Sequence, residues 1–146
     1  MLQAPDMLVP VDFSPTSLNA VRAALKVAEP GGDVTLLHVI DEHFVGDAVA
    51  AGIGTSDEIA SKLRQIAEAN FEQALSEVEA GDVNVERMIV VGIPFVEILK
   101  ITRDLDLPLI VMGMRGRTAP PEDFLFGSTA EKVLRLARVP VLCVPL

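Results

Sequence analysis

Residues 111–134 read VMGMRGRTAPPEDFLFGSTAEKVL: an apolar strand, a glycine-containing loop and the start of a helix. The strand runs into Gly113 and Gly116, and Gly127, Ser128 and Thr129 then open the helix. The first N–H groups of a helix have no partner within it, and the helix dipole favours negative charge there. Glycine lets a backbone approach a phosphate closely. The stretch therefore predicts an anion site between a strand end and a helix start.

The rest of the chain alternates short apolar runs with amphipathic stretches. A Ser14-Pro15 start, a Thr55–Glu58 capping box and a Ser128–Glu131 capping box mark helices, whereas residues 41–56 have weak periodicity and are interpreted as a mobile loop. Such alternation predicts one α/β domain over residues 1–146, a doubly wound parallel sheet with helices on both faces and right-handed crossovers. Strands are predicted over residues 7–11, 33–40, 83–91, 107–112 and 139–144.

The predicted fold gives the candidate site a position. Ligands of open parallel sheets bind beyond the carboxyl ends of the strands, where the strand order reverses. Asp12 follows the first predicted strand and Gly113 ends the fourth. Both residues are therefore expected at the same edge of the sheet.

Composition and charge limit the possible functions. The 146 residues contain no apolar run near the roughly 18 residues of a membrane span, and the N-terminus lacks the features of a signal peptide. The lone Cys143 cannot form an internal disulfide, so we expect a reduced, cytoplasmic protein. A net charge of −9 argues against binding nucleic acid or an anionic membrane. It also opposes binding ATP unless local dipoles and arginines compensate.

The glycine spacing is neither G-x-x-x-x-G-K-[ST] nor G-x-G-x-x-G. It is G-x-x-G, ten residues and then G-S-T, which closely resembles the nucleotide motif of the universal stress protein family, G-x-x-G, nine residues and G-[ST]. The resemblance extends to MLVPVDFSP at residues 7–15, LLHV at residues 36–39, AEKVLR at residues 130–135 and VPVLCV at residues 139–144.

The resemblance implies the adenine nucleotide alpha hydrolase-like fold, with a five-stranded sheet of order 3-2-1-4-5. It implies that Asp12 contacts the adenine and ribose, that the backbone of Val39 reads adenine, and that ATP is bound, with Mg²⁺ as a possible companion. Arg115 lies in the loop and is a candidate for neutralising phosphates. The candidate nucleotide-binding residues are Pro10, Val11, Asp12, Val39, Met112, Gly113, Arg115, Gly116, Gly127, Ser128 and Thr129.

Several features favour a protein of the same fold without nucleotide. The spacer has ten residues rather than nine, and it carries Glu122 and Asp123, two negative charges near the expected phosphates. Ala130 stands where nucleotide-binding members often have a hydroxyl. Gly113 and Gly116 can also be ordinary turn glycines, and Asp12 can simply close a turn.

Catalysis has little support in the sequence. His38 lies in an apolar strand and fits a hydrogen-bonded core histidine, and His43 lies in the loop that follows. No Ser-His-Asp set and no Cys/His metal spacing can be assembled, so no catalytic or metal-binding residue is nominated. Cys143 is interpreted as a small buried apolar residue. At most, slow ATP hydrolysis is expected.

The apolar last strand, VPVLCVPL, suggests an assembly. It would lie at a sheet edge, and exposed apolar edges invite pairing. The family commonly dimerises through this strand, so the resemblance implies a homodimer with antiparallel pairing of Val141–Val144. We expect a non-catalytic, ATP-dependent stress-response sensor whose loop at residues 117–126 is read by an unknown protein partner. The alternatives are a dimeric interaction module that binds no nucleotide and, third, an ATPase or phosphotransferase.

Overall fold

The computed structural model describes residues 3–114 and 126–145. Strands and helices alternate through both ranges, as the sequence pattern predicts, with one additional helix. The elements are β1 (Ala4–Pro10), α1 (Pro15–Val27), β2 (Ala28–Asp41), α2 (Glu42–Ala50), α3 (Ser56–Ser76), β3 (Asn84–Gly92), α4 (Pro94–Asp104), β4 (Ile110–Gly113), α5 (Ser128–Leu136) and β5 (Val141–Val144).

The five strands form one parallel sheet with the order β3-β2-β1-β4-β5, so the predicted fold class and strand order are confirmed. Pairing is extensive between β2 and β3, where it runs from Asp33 opposite Asn84 to Asp41 opposite Gly92. Between β1 and β4 the register holds one pair, Leu8 opposite Ile110. The sheet order reverses at this β1–β4 boundary, and β5 lies at the outer edge.

Side chains of consecutive strand residues enter opposite layers, because they point to opposite faces of a sheet. On one face, Val9 packs in a core with Ala20 of α1 and Phe71 of α3. On the other, Leu8 packs with Ile98 of α4 and Val133 of α5. Both faces are thus covered, as is typical of a parallel sheet.

Two helix starts follow the predicted chemistry. Ser14 caps α1 by accepting a hydrogen bond from the Ser17 N–H at 3.2 Å, and proline occupies the first turn. Thr55 caps α3 in a complete capping box with Glu58. Neither cap requires tertiary contacts, which explains why sequence alone could locate them.

The prediction of a mobile loop over residues 41–56 is wrong, because most of it forms α2. Asp41 caps this helix by accepting a hydrogen bond from the His43 N–H at 2.9 Å. Gly52, with φ of 77°, ends it in a Schellman motif, in which the Ile53 N–H donates to the Ala48 carbonyl at 3.1 Å. In this helix only Val45 and Ala48 are buried, so its apolar periodicity is weak.

Other element boundaries in the structure differ from the predicted ones by a few residues. The strand β2 begins at Ala28, five residues before the predicted start at residue 33. Ile66, which the helical pattern places on the inner face of α3, is 49% exposed. No helix in the described ranges combines the length and apolar character needed to cross a membrane.

Candidate functional site

The end of β4 lies against the first turn of α1. A Cβ atom added to Gly113 would come within 2.9 Å of both the carbonyl carbon and the Oγ1 atom of Thr16. Real Cβ contacts are not this short, so this position requires glycine for packing. Gly113 thus has a packing role at the end of β4, and this role coexists with a position at the predicted edge of the sheet.

The start of α5 is fastened to the same strand end. The Gly127 N–H donates to the Met114 carbonyl at 2.8 Å, and the Met114 N–H donates to the Val144 carbonyl at 3.0 Å. These bonds bring the buried Gly127 beside the end of β4, although twelve residues separate Gly127 from Met114 in the chain. The predicted succession of strand end and helix start is therefore present in space.

The capping box predicted at Ser128 is wrong. Gly127 is the N-cap residue of α5, with φ of −70° and ψ of 166°, and Ser128 is the first helical residue. A hydroxyl at that position is inside the helix rather than before it, so it does not cap. Glu131 instead accepts a hydrogen bond from Arg135 at 2.7 Å. Within the described ranges no side chain caps α5.

Asp12 lies in a tight turn between β1 and α1. Its Oδ1 atom accepts a hydrogen bond from the Ser14 N–H at 2.9 Å, so the turn-closing role expected of Asp12 is confirmed. Phe13 between them has φ of 64°, in the left-handed region. This conformation costs a non-glycine residue about 1–3 kcal/mol and persists where surrounding contacts enforce it.

Those contacts are aromatic. The Phe13 ring lies 4.9 Å from the ring of the buried Phe71, edge to face, and 4.9 Å from the imidazole of His38. The Nδ1 atom of His38 is 2.7 Å from the carbonyl oxygen of Val11. Because a carbonyl only accepts, Nδ1 carries the proton and donates. His38 is therefore a hydrogen-bonded, half-buried histidine, as predicted, but its link to the candidate site was missed.

Four of the predicted nucleotide-binding residues lie at the ends of β1, β2 and β4. Val11 is buried on the α1–α3 face. Met112 is buried on the α4–α5 face, where Val39 is partly buried. Pro10, half-buried, is the last residue of β1 and pairs with Leu37. All four are at the predicted edge, but on two faces of the sheet.

The remaining predicted site residues differ in what can be said of them. Ser128 is exposed and Thr129 half-buried at the start of α5. Arg115 and Gly116 lie outside the described residues, as do residues 117–125, including Glu122 and Asp123. Their predicted contacts with phosphate therefore stay predictions.

The described part of the chain offers no group of three or more His, Cys, Asp or Glu side chains placed to hold a metal ion. His43 is exposed, with its Nδ1 3.5 Å from the Asp41 carboxylate, away from the β1–β4 boundary. Cys143 in β5 is half-buried, and this burial raises the pKa of its thiol, which favours the neutral form. The groups at the sheet edge suit hydrogen bonding and anion binding.

Comparison with known proteins identifies related sequences. A model of the universal stress protein family matches residues 5–145. Universal stress protein MJ0577 of Methanocaldococcus jannaschii is 36% identical over 152 residues, covering 94% of this chain and 93% of that protein. Universal stress protein YxiE of Bacillus subtilis is 32% identical over 144 residues, covering 94% of this chain and 97% of that protein.

Solved structures share the fold. The structure of MJ0577 superposes with a TM-score of 0.85 at 34% identity, covering 99% of this chain and 98% of that one. An Archaeoglobus fulgidus universal stress protein in complex with dAMP has a TM-score of 0.64 at 21% identity, covering 99% of each chain. A universal stress protein in complex with cAMP has a TM-score of 0.61 at 18% identity, covering 98% of each chain.

Proposed function

This chain belongs to the universal stress protein family, and we propose that it binds an adenine nucleotide at the β1–β4 boundary, acting as a non-catalytic, dimeric stress-response sensor. A protein partner would read the nucleotide-bound state. The loop at residues 117–126, which is predicted from the sequence to make this contact, lies largely outside the described residues. No described residue is nominated as a catalytic base, so hydrolysis has no part in this proposal.

The carrying observation is the hydrogen bond from the Gly127 N–H to the Met114 carbonyl, at 2.8 Å. It holds the start of α5 beside the end of β4. Within the described ranges, no side chain caps this helix. The first N–H groups of α5 and the positive end of its dipole suit a phosphate. This local field provides attraction in a chain whose net charge is −9.

Asp12 provides the second contact. Its carboxylate accepts from the Ser14 N–H, and because a carboxylate can accept several hydrogen bonds at once, a ribose hydroxyl or an adenine amine can share it. The described residues offer no cluster of carboxylates for Mg²⁺. Magnesium would therefore accompany the nucleotide through its phosphates, which is its usual mode in phosphate sites.

The choice of an adenine nucleotide draws on the family and on two structural relatives. Those two proteins are described in complexes with cAMP and with dAMP. Both ligands are adenine monophosphates, so a test of this chain should include monophosphates beside ATP. The number of phosphates that the site accepts is a separate question from its preference for adenine.

The test begins with freshly purified protein, which is denatured so that any released nucleotide can be chromatographed. Calorimetric titrations with ATP–Mg²⁺, AMP and cAMP follow on the same batch, with GTP–Mg²⁺ as the control for base recognition. Released adenine nucleotide, or micromolar affinity for one of the three with weak GTP binding, supports the proposal. Absence of released nucleotide and of binding heat would contradict it.

The edge position of β5 favours a second candidate, a dimeric interaction module that needs no nucleotide. The strand Val141–Val144 has its partner β4 on one side and is half-buried along its length. Antiparallel pairing of two copies would complete that edge. Solution mass at micromolar concentration tests the dimer in both candidates, and a monomer would contradict it. A dimer without nucleotide would favour the second candidate.

A further inference from the structure

We propose that His38 is a positioning residue for the nucleotide site, because its ring holds both residues that flank Asp12. This inference rests on the proposed nucleotide binding and goes one step further. It assigns to a histidine outside the binding set the task of fixing the carboxylate before the ligand arrives.

The first contact is with Val11. Regular pairing of β1 with β2 ends at Pro10 opposite Leu37. Beyond it, the Val11 N–H donates to the Leu37 carbonyl at 2.8 Å, and the Val11 carbonyl accepts from the His38 Nδ1 at 2.7 Å. Two consecutive residues of β2 therefore hold both backbone polar groups of Val11. The imidazole supplies the second bond where backbone pairing has stopped.

The second contact is with Phe13. Its ring packs on His38 with an interplanar angle of 38° and on Phe71 with an angle of 78°. Phe71 is 1% exposed and cannot easily move aside. Left-handed backbone at a phenylalanine requires such enforcement. His38 thus packs against one side of the Phe13 ring and helps to hold the left-handed backbone that immediately follows Asp12.

Together these contacts bracket Asp12. Val11 is held on one side and Phe13 on the other, and the Ser14 N–H holds one carboxylate oxygen. A carboxylate held in this way loses little freedom when it binds a ligand, so preorganisation contributes to affinity. Loss of the His38 hydrogen bond should therefore weaken nucleotide binding more than it disturbs the rest of the fold.

Two substitutions separate the hydrogen bond from the bulk of the ring. In His38→Asn the amide nitrogen takes the place of Nδ1 and can still donate to Val11, whereas His38→Phe keeps an aromatic ring and loses the donor. We expect nucleotide affinity to fall about tenfold in His38→Phe, since the loss of one net hydrogen bond corresponds to about that factor. In His38→Asn, which keeps the donor, we expect a fall of only about twofold. His43→Phe, at the exposed second histidine, should leave affinity unchanged.

A local measurement accompanies the titrations. In ¹H–¹⁵N spectra we expect faster exchange of the Ser14 amide in His38→Phe than in His38→Asn, with the amides of α4 unaffected. Equal affinity in the wild type and His38→Phe would overturn the inference while the proposed function stands. So would equal losses in both variants with a general fall in Tm.

A wild type that binds no adenine nucleotide would refute the proposed function, and with it the role of His38 toward that ligand. The amide measurement then still shows whether His38 holds the Asp12 turn. The two failures are therefore distinguishable.

Discussion

Two helices, α1 and α5, begin at the same edge of the sheet and differ in how their first N–H groups are satisfied. At α1, Ser14 accepts from the Ser17 N–H at 3.2 Å, and the Ser17 hydroxyl donates back to the Ser14 carbonyl at 3.1 Å. At α5 the N-cap is Gly127, with no side-chain cap in the described chain. Within the described ranges a side chain accepts from the first turn of α1 and none accepts from that of α5, and a helix start of the second kind suits an anion.

The two helix starts also differ in how deeply their hydroxyl side chains are buried. Ser14, Thr16 and Ser17 are buried, whereas Ser128 is exposed. Buried hydroxyls need protein partners, and Ser14 and Thr16 lie 3.2 Å apart through their oxygens. The comparison therefore assigns a structural role to Ser14, whereas Ser128 remains the serine for which ligand contact is proposed.

The largest expected effect comes from the contact that joins α1 to β4. Gly113→Ala would place a methyl group 2.9 Å from the backbone of Thr16, so we expect a loss of about 1–3 kcal/mol in the free energy of unfolding. Gly46→Ala is the matched control, because a Cβ there meets nothing within 4 Å. In a helix interior it should stabilise the protein by about 1 kcal/mol. Urea unfolding measures both, and a tolerated Gly113→Ala would refute the close contact.

The second prediction compares nucleotide binding by variants of two aspartates, which lie in similar turns at the ends of adjacent strands. Asp12 and Asp41 each accept from an N–H two residues later, at 2.9 Å, but only Asp12 lies next to the β1–β4 boundary. Asp12→Asn keeps the turn acceptor but replaces the other carboxylate oxygen with an NH2 group, which cannot accept from a ribose hydroxyl or an adenine amine, so we expect about tenfold weaker nucleotide binding, or about 1.4 kcal/mol. Asp41→Asn should leave affinity unchanged. Equal calorimetric affinities for the two variants would remove Asp12 from the site.

The smallest effect compares the two serines directly. Ser14→Ala removes the cap of α1 and should lower the free energy of unfolding by about 1 kcal/mol. Ser128→Ala removes no cap, so its stability should change by less than about 0.5 kcal/mol, while nucleotide affinity falls. Thermal unfolding and titration of both variants provide the test. A stability loss at Ser128 equal to that at Ser14 would show that the two helix starts are alike.

Much of the fold was predictable because its signals are local. The alternation of apolar runs with amphipathic stretches indicated the parallel sheet, and Ser14-Pro15 located α1 without tertiary information. The helix α2 was missed because the periodicity of its two buried residues is weak. Its Asp41 cap and Gly52 terminator were visible in the sequence, and greater weight on them would have found it.

The site was predictable only in part. That Asp12 and Gly113 share one edge followed from strand order, and the structure places them there, with Gly127 bonded to the neighbouring Met114. The role of Gly127 as N-cap was missed, because a serine three residues before a glutamate resembles a capping box. The left-handed Phe13 and the His38 bond depend on how α3 and β2 pack around β1. No local residue pattern carries that information.

The pairing between β1 and β4 is short, with Leu8 opposite Ile110 as its one registered pair. This short pairing also has a consequence for the order of folding. The strands β1, β2 and β3 lie on one side of it and precede β4 and β5 in the chain. During synthesis the amino-terminal part emerges first, and its local contacts can form as a partly independent unit before the later strands are available. We expect the three-stranded part to form before β4, α5 and β5 dock on it. The candidate site would then be assembled last, by the final quarter of these 146 residues.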